Sequence, residues 1–85
     1  MASYKLLIKP TAAKELEAIP LKVRRRLVAR IQALSSTPRP PGCEKLAGTN
    51  RFRIRQGDYR AVYQVHDQEL EIIIFKIGHR RDVYR

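Results

Sequence analysis

Three consecutive strand patterns in the second half of the chain constrain the fold more than any other feature. Residues 51–56 alternate apolar and basic side chains, so that the apolar positions share one face and three arginines share the other. Further strand patterns follow at 59–66 and 69–77 after short turns rich in Gly and Asp. Such turns join antiparallel neighbours, so we expect a meander. The last segment is apolar on both faces, which predicts an interior strand.

The first half of the chain predicts one strand and a helical hairpin. Residues 4–9 have a short strand pattern, and Thr11 is expected to cap the helix that follows. Pro20 separates this helix from a second one at 21–34, in which apolar residues recur at spacings of four, four and three. Prolines and glycines in 35–48 predict a connecting loop.

The order β-α-α-β-β-β predicts an α+β fold. We expect an N-terminal strand and a helical hairpin packed on a curled, mainly antiparallel four-stranded sheet. The 85 residues form a single domain, 1–85, because a chain of this length supports only one core. Cys43 is the single cysteine, which excludes an internal disulfide. Neither a signal peptide nor a membrane span is expected, so the predicted location is cytoplasmic.

The charge of the chain predicts a polyanionic partner. The net charge is +10, and most of the basic residues are arginines, whose planar side chains suit bidentate contacts with phosphate. Two segments, 51–60 and 76–85, hold eight basic residues and two acids, and therefore carry +6 of this charge. Such clustering favours a nucleic-acid surface over a uniformly solvated one.

The basic residues of the first segment are candidates for binding RNA phosphates. Arg53 and Arg55 share a strand face with Arg51, and alternate positions on a strand lie about 6.8 Å apart. Arg60 opens the next strand, close to the same face. Lys45 is a further candidate from the preceding loop, although a solvated role is also open for it.

The second segment, residues 76–85, which we call the tail, supplies groups that could transfer protons. RNA cleavage without a metal needs a base for the 2′-hydroxyl, donors for the charge on phosphorus and an acid for the leaving oxygen. His79 and Tyr84 can fill the proton-transfer roles, whereas Arg80 and Arg81 can only stabilise charge. We expect the tail to bring His79, Arg80 and Tyr84 over the end of the sheet, where they would converge with the arginines on one concave basic surface. The acidic residues lack metal-ligand spacing, so neither a metal nor another cofactor is expected.

Three segments together resemble the RelE family of toxins. They are residues 45–48 (KLAG), 52–63 (FRIRQGDYRAVY) and 78–84 (GHRRDVY). The resemblance implies the toxin of a type II toxin–antitoxin pair, a ribosome-dependent endoribonuclease that cuts mRNA in the A site, next to ribosomal RNA. It also implies a RelB-like antitoxin encoded in the same operon, and contact with operator DNA only through the toxin–antitoxin complex.

The resemblance assigns roles to individual residues. Arg60 and Arg80 match the family's catalytic arginines, and Tyr84 matches its catalytic tyrosine. Arg53 and Arg55 stand where well-studied members have lysines. Since arginine does not release its proton, this difference shifts the base role toward His79 or Tyr84, or toward the ribosome itself.

Two other functions stay open. A ParE-like toxin would share the fold and inhibit DNA gyrase, although the match at the catalytic positions argues against it. A non-catalytic basic module would bind nucleic acid or ribosomes passively. Such a module would tolerate Tyr84→Phe, because a phenyl ring still stacks on bases.

Overall fold

The computed structural model describes residues 3–79 and has the α+β architecture that the sequence predicts. The elements follow in the order β1 (Lys5–Ile8), α1 (Pro10–Glu17), α2 (Leu21–Ala33), β2 (Glu44–Lys45), β3 (Arg51–Gln56), β4 (Tyr59–His66) and β5 (Glu71–His79). None of the helices within this part of the chain is long and apolar enough to cross a membrane.

The strands form one sheet in the order β1-β5-β4-β3-β2. β1 pairs with β5 in parallel, and all other neighbours are antiparallel. β5 therefore has a partner on each side, as its apolar composition predicts. The expectation of four strands was wrong by one, because Glu44 and Lys45 pair with β3 inside the predicted loop. Two residues are too few to produce a periodic pattern.

The helices form the predicted hairpin, but α1 begins earlier than expected. Lys9 is its N-cap residue and Pro10 its first residue, and no side chain caps the helix. The expected cap at Thr11 was therefore wrong. Proline suits the first helical position because its missing N–H would have no partner there. Pro20 directly precedes α2.

Both helices pack on the same face of the sheet, which we call the helix face. The core between them consists of Ala12, Ile19, Leu27, Ile31, Leu34, Phe52, Ile54, Ala61, Tyr63, Val65, Ile72, Ile74 and Ile77. The arginines of β3 alternate with these inward positions and lie on the opposite face, which we call the open face. The predicted division of β3 into an apolar and a basic face is confirmed.

A β-bulge interrupts the pairing of β4 with β5. Tyr63 pairs with Ile74, but the preceding residue of β4 pairs with Lys76, so Phe75 is the additional residue of the bulge. The bulge reverses the facing of every β5 residue that follows it. Ile77 consequently lies on the helix face and is fully buried.

Beyond the end of β1, the side chain of Glu15 in α1 accepts a hydrogen bond from the free edge of β5. The last bond on this edge before Pro10 runs from the Lys9 N–H to the carbonyl of Ile74, at 3.0 Å. Further along the same edge, the Ile77 N–H donates to Oε1 of Glu15 at 3.1 Å. This bond fixes α1 against the C-terminal part of β5.

The proline-rich loop is fastened to the sheet by two sets of hydrogen bonds. The buried Tyr63 hydroxyl donates to the carbonyl of Pro38 at 2.7 Å, and burial raises the pKa of this phenol. Arg39 donates to both carboxylate oxygens of Asp67, at 3.3 and 2.7 Å, and the Tyr4 hydroxyl donates to the same group. Hydrogen bonds from Arg39 and Tyr4 lower the pKa of Asp67.

Candidate functional site

Three of the arginines that the sequence singles out lie together on the open face. Arg55 pairs directly with Arg60 across β3 and β4, and Arg53 is two residues from Arg55 on β3. Side chains of directly paired residues start about 5 Å apart, so the two guanidinium groups share one region of the surface. We call Arg53, Arg55 and Arg60 the arginine cluster.

A carboxylate lies next to the arginine cluster, on the edge strand beside β3. Glu44 of β2 pairs with Arg53, and Nη2 of Arg53 donates to Oε2 of Glu44 at 2.6 Å. This hydrogen bond is the main reason that the pKa of Glu44 is lowered, and the charges of Arg60 and Arg55 lower it further. One anionic group therefore interacts favourably with all three arginines.

The arrangement is that of a small anion site. Arginines placed side by side repel one another, and an anion between them relieves this repulsion. Glu44 was not among the expected site residues, since a single acid in a loop next to Lys45 carries no recognisable signal. The pairing of β2 with β3 supplies the missing information.

Arg51 and Lys45 are placed apart from the cluster. Arg51 lies on the open face, with its guanidinium carbon 4.3 Å from the centre of the Phe75 ring, and Nζ of Lys9 lies at the same distance from that ring. Lys45 pairs with Phe52 and so belongs to the helix-face side of β2, where its side chain is exposed. Arg51 extends the basic surface, whereas Lys45 does not join it.

His79 lies on the helix face, away from the cluster. It pairs with Tyr59, and the two rings meet edge to face with centroids 5.7 Å apart. Both rings line a groove between α1 and β5 that also includes Glu15. The neighbouring Gly78 pairs with Arg60 instead. The expectation that His79 joins the arginines on one surface was therefore wrong, because the bulge reverses the facing of β5. Its role in proton transfer stays a prediction.

Three further candidates, Arg80, Arg81 and Tyr84, lie outside the described residues. Gly78, near the end of the described residues, pairs with Arg60 of the arginine cluster.

Comparison with known proteins places the chain in a family. The family model described as "ParE toxin of type II toxin-antitoxin system, parDE" matches residues 6–84. The chain belongs to the RelE/ParE superfamily of toxins. The resemblance found in the sequence is confirmed at this level, and the chain is a toxin of the type II toxin–antitoxin class.

Relatives of this toxin include proteins named RelG and RelE. Toxin RelG of Mycobacterium tuberculosis is 31% identical over 86 residues, which cover 96% of this chain and 97% of the relative. The isolated Escherichia coli RelE toxin has a TM-score of 0.81 at 26% identity, with 96% of this chain and 92% of that one covered. The RelE–RelB complex of Pyrococcus horikoshii gives 0.80 at 27% identity, with 94% and 98% covered. The fold is thus shared over nearly the whole length.

Proposed function

We propose that this toxin is a metal-independent endoribonuclease that cuts mRNA in the ribosomal A site and so inhibits translation. The observation that carries the proposal is the arginine cluster, in which Arg53 holds a carboxylate and the charges of Arg55 and Arg60 favour the same anion. A phosphodiester also carries one negative charge and accepts the same hydrogen bonds. The similarity to RelE toxins supports RNA as the source of that phosphate.

The arginines would stabilise the negative charge that develops on the phosphate oxygens during cleavage. Attack of the 2′-oxygen on phosphorus forms a five-coordinate species, and the negative charge on its oxygens exceeds that of the starting phosphodiester. Arg60 and Arg80 would donate hydrogen bonds to these oxygens, while Arg53 and Arg55 hold the adjoining phosphates. Arg81 and Arg51 would extend this binding surface along the RNA.

Proton transfer requires another group. One proton leaves the 2′-hydroxyl as the new O–P bond forms, and one reaches the 5′-oxygen as the old O–P bond breaks. Tyr84 is our choice for the base, because the RelE resemblance makes it the catalytic tyrosine and because Arg53 and Arg55, which stand where relatives have lysines, do not release a proton. His79 is the second choice, since its side chain lies across the sheet from the arginine cluster.

We further propose a RelB-like antitoxin as the protein partner. The solved P. horikoshii relative is a RelE–RelB complex, and its RelE chain shares this fold. The +10 charge of this toxin would favour an acidic antitoxin segment on the open face. Operator DNA would be reached only through that complex.

Mapping of transcript ends in cells that briefly express the toxin tests the nuclease proposal. The wild type should produce cuts within translated codons, and these cuts should disappear when ribosomes are withheld in a purified system. Arg60→Ala should reduce cleavage about 10²- to 10³-fold, as is typical for loss of one donor to a developing oxyanion. Lys14→Ala removes an exposed cation of α1 and should leave cleavage unchanged.

Tyr84→Phe separates catalysis from passive binding. Under the proposal, cleavage falls while ribosome binding persists, because a phenyl ring still stacks. If translation is inhibited equally by wild type and Tyr84→Phe without any cuts, the toxin is a binding module rather than a nuclease.

A gyrase-inhibiting function is the second candidate, because the matching family model bears the ParE name. Its prediction differs in the nucleic acid affected. Purified gyrase would lose supercoiling activity in the presence of the toxin, and transcripts would stay intact. Either observation would favour this candidate over the nuclease.

A further inference from the structure

We propose that Glu44 is a built-in competitor of RNA, whose carboxylate occupies the phosphate position of the arginine cluster and must be displaced when RNA binds. This inference rests on the proposed function, because it assumes that the cluster receives an RNA phosphate. Glu44 would set the affinity of the toxin for RNA, and it has none of the catalytic roles proposed above.

The contacts of Glu44 support displacement rather than a fixed structural role. Its side chain is 62% exposed, whereas that of its partner Arg53 is 22% exposed. Glu44 lies on β2, a two-residue strand at the edge of the sheet. A change of side-chain rotamer would move the carboxylate into solvent without breaking any backbone pairing. The guanidinium of Arg53, whose side chain is mostly covered, would stay in place for the incoming phosphate.

The charges around Glu44 explain why it competes. The carboxylate interacts with Arg53 directly and with Arg55 and Arg60 through their charges, so it uses the same favourable interactions that an RNA phosphate would use. A glutamate is already ionised at neutral pH, and the arginines, Arg53 first, lower the pKa of Glu44 further. RNA must therefore break the Arg53–Glu44 hydrogen bond and then tolerate a carboxylate beside its phosphate. Both effects weaken RNA binding.

Replacing Glu44 with glutamine tests the inference, because glutamine keeps the shape of the side chain and removes the charge. Binding is measured by fluorescence anisotropy with a single-stranded RNA oligonucleotide that carries 2′-O-methyl groups and so cannot be cleaved by 2′-oxygen attack. Glu69→Gln is the matched control. It makes the same change in net charge in the turn between β4 and β5, at the end of β4 away from Arg60.

We expect Glu44→Gln to bind the oligonucleotide roughly tenfold more tightly than wild type at low salt, and Glu69→Gln to differ less than about twofold. The excess effect should shrink as salt rises. Equal effects of the two variants would show that only net charge matters and would overturn the inference. Weaker binding by Glu44→Gln would also overturn it, since Glu44 would then position Arg53 for RNA.

Arg53→Gln distinguishes failure of this inference from failure of the proposed function. If Arg53→Gln weakens RNA binding while Glu44→Gln matches Glu69→Gln, the arginine cluster binds RNA but Glu44 does not compete with it. If Arg53→Gln leaves RNA binding unchanged, both the proposed RNA-binding surface and the competitor role of Glu44 are wrong. Thermal unfolding of each variant shows whether the protein remains folded.

Discussion

The hydrogen bond between Glu15 and the Ile77 N–H gives the sharpest prediction about stability. Replacing Glu15 with alanine removes the acceptor of this bond. The donor is the backbone N–H of Ile77, a fully buried residue, and it then lacks this partner. Leaving such a donor unsatisfied costs about 1–3 kcal/mol of unfolding free energy. Alanine returns about 0.3 kcal/mol through its higher helix propensity, so we expect a net loss of about 0.7–2.7 kcal/mol relative to wild type.

The chain offers two controls for this prediction. Glu17→Ala makes the same substitution at an exposed position of α1 and should be neutral or slightly stabilising. Glu15→Gln keeps an acceptor oxygen at the same place and should retain most of the stability. Thermal unfolding followed by circular dichroism is the assay. Both alanine variants have the same propensity gain, so for a domain of this size Glu15→Ala should lower Tm by roughly 4–24 °C relative to Glu17→Ala, from the loss of about 1–3 kcal/mol.

Amide exchange provides an independent readout at the bond itself. The Ile77 N–H should exchange faster in Glu15→Ala than in wild type or in Glu15→Gln. Equal melting temperatures for the two alanine variants, with Ile77 equally protected in both, would refute the reasoning, because the bond would then contribute nothing to holding α1 on β5.

Further predictions concern the core and the loop. Leu27→Ala should cost about 2–5 kcal/mol in chemical denaturation, since Leu27 is fully buried. Tyr63→Phe should cost about 1–2 kcal/mol, because the Pro38 carbonyl loses its donor while the ring stacking on Phe52 remains. Asp67→Asn should lower Tm at neutral pH and match wild type in acid. The pKa of Asp67 is lowered by folding, so its stabilisation is present above the ordinary value of 3.8 and is lost as the pH falls through the lower folded value. A Tm difference that persists at pH 2 would contradict this sign.

The sequence predicts most of the sheet because two of its strands have clear local patterns. The predicted bounds 51–56 and 59–66 match β3 and β4. β5 begins two residues later than expected, at Glu71. The turn before it extends through Leu70, which adopts a positive φ of 53°. Leucine rarely takes this conformation, so residue propensities do not predict a turn at this position.

The parts of the site that sequence reasoning missed depend on pairing between strands. Alternation along an unbroken β5 would put His79 on the same face as the arginine cluster. The bulge at Phe75 puts it on the other. No residue type marks a bulge within a continuous apolar run, so the facing of His79 was not predictable. The role of Glu44 likewise exists only because β2 pairs with β3.

The parallel pairing of β1 with β5 has a consequence for the order of folding. Strands β2, β3 and β4, which carry the arginine cluster and Glu44, are close neighbours in sequence and need to close only short loops. The β1–β5 pair joins Lys5 to Glu71, so it closes a loop that contains most of the chain. Long loops close more slowly than short ones. The arginine-bearing hairpin can therefore form before Lys5–Ile8 pairs with β5.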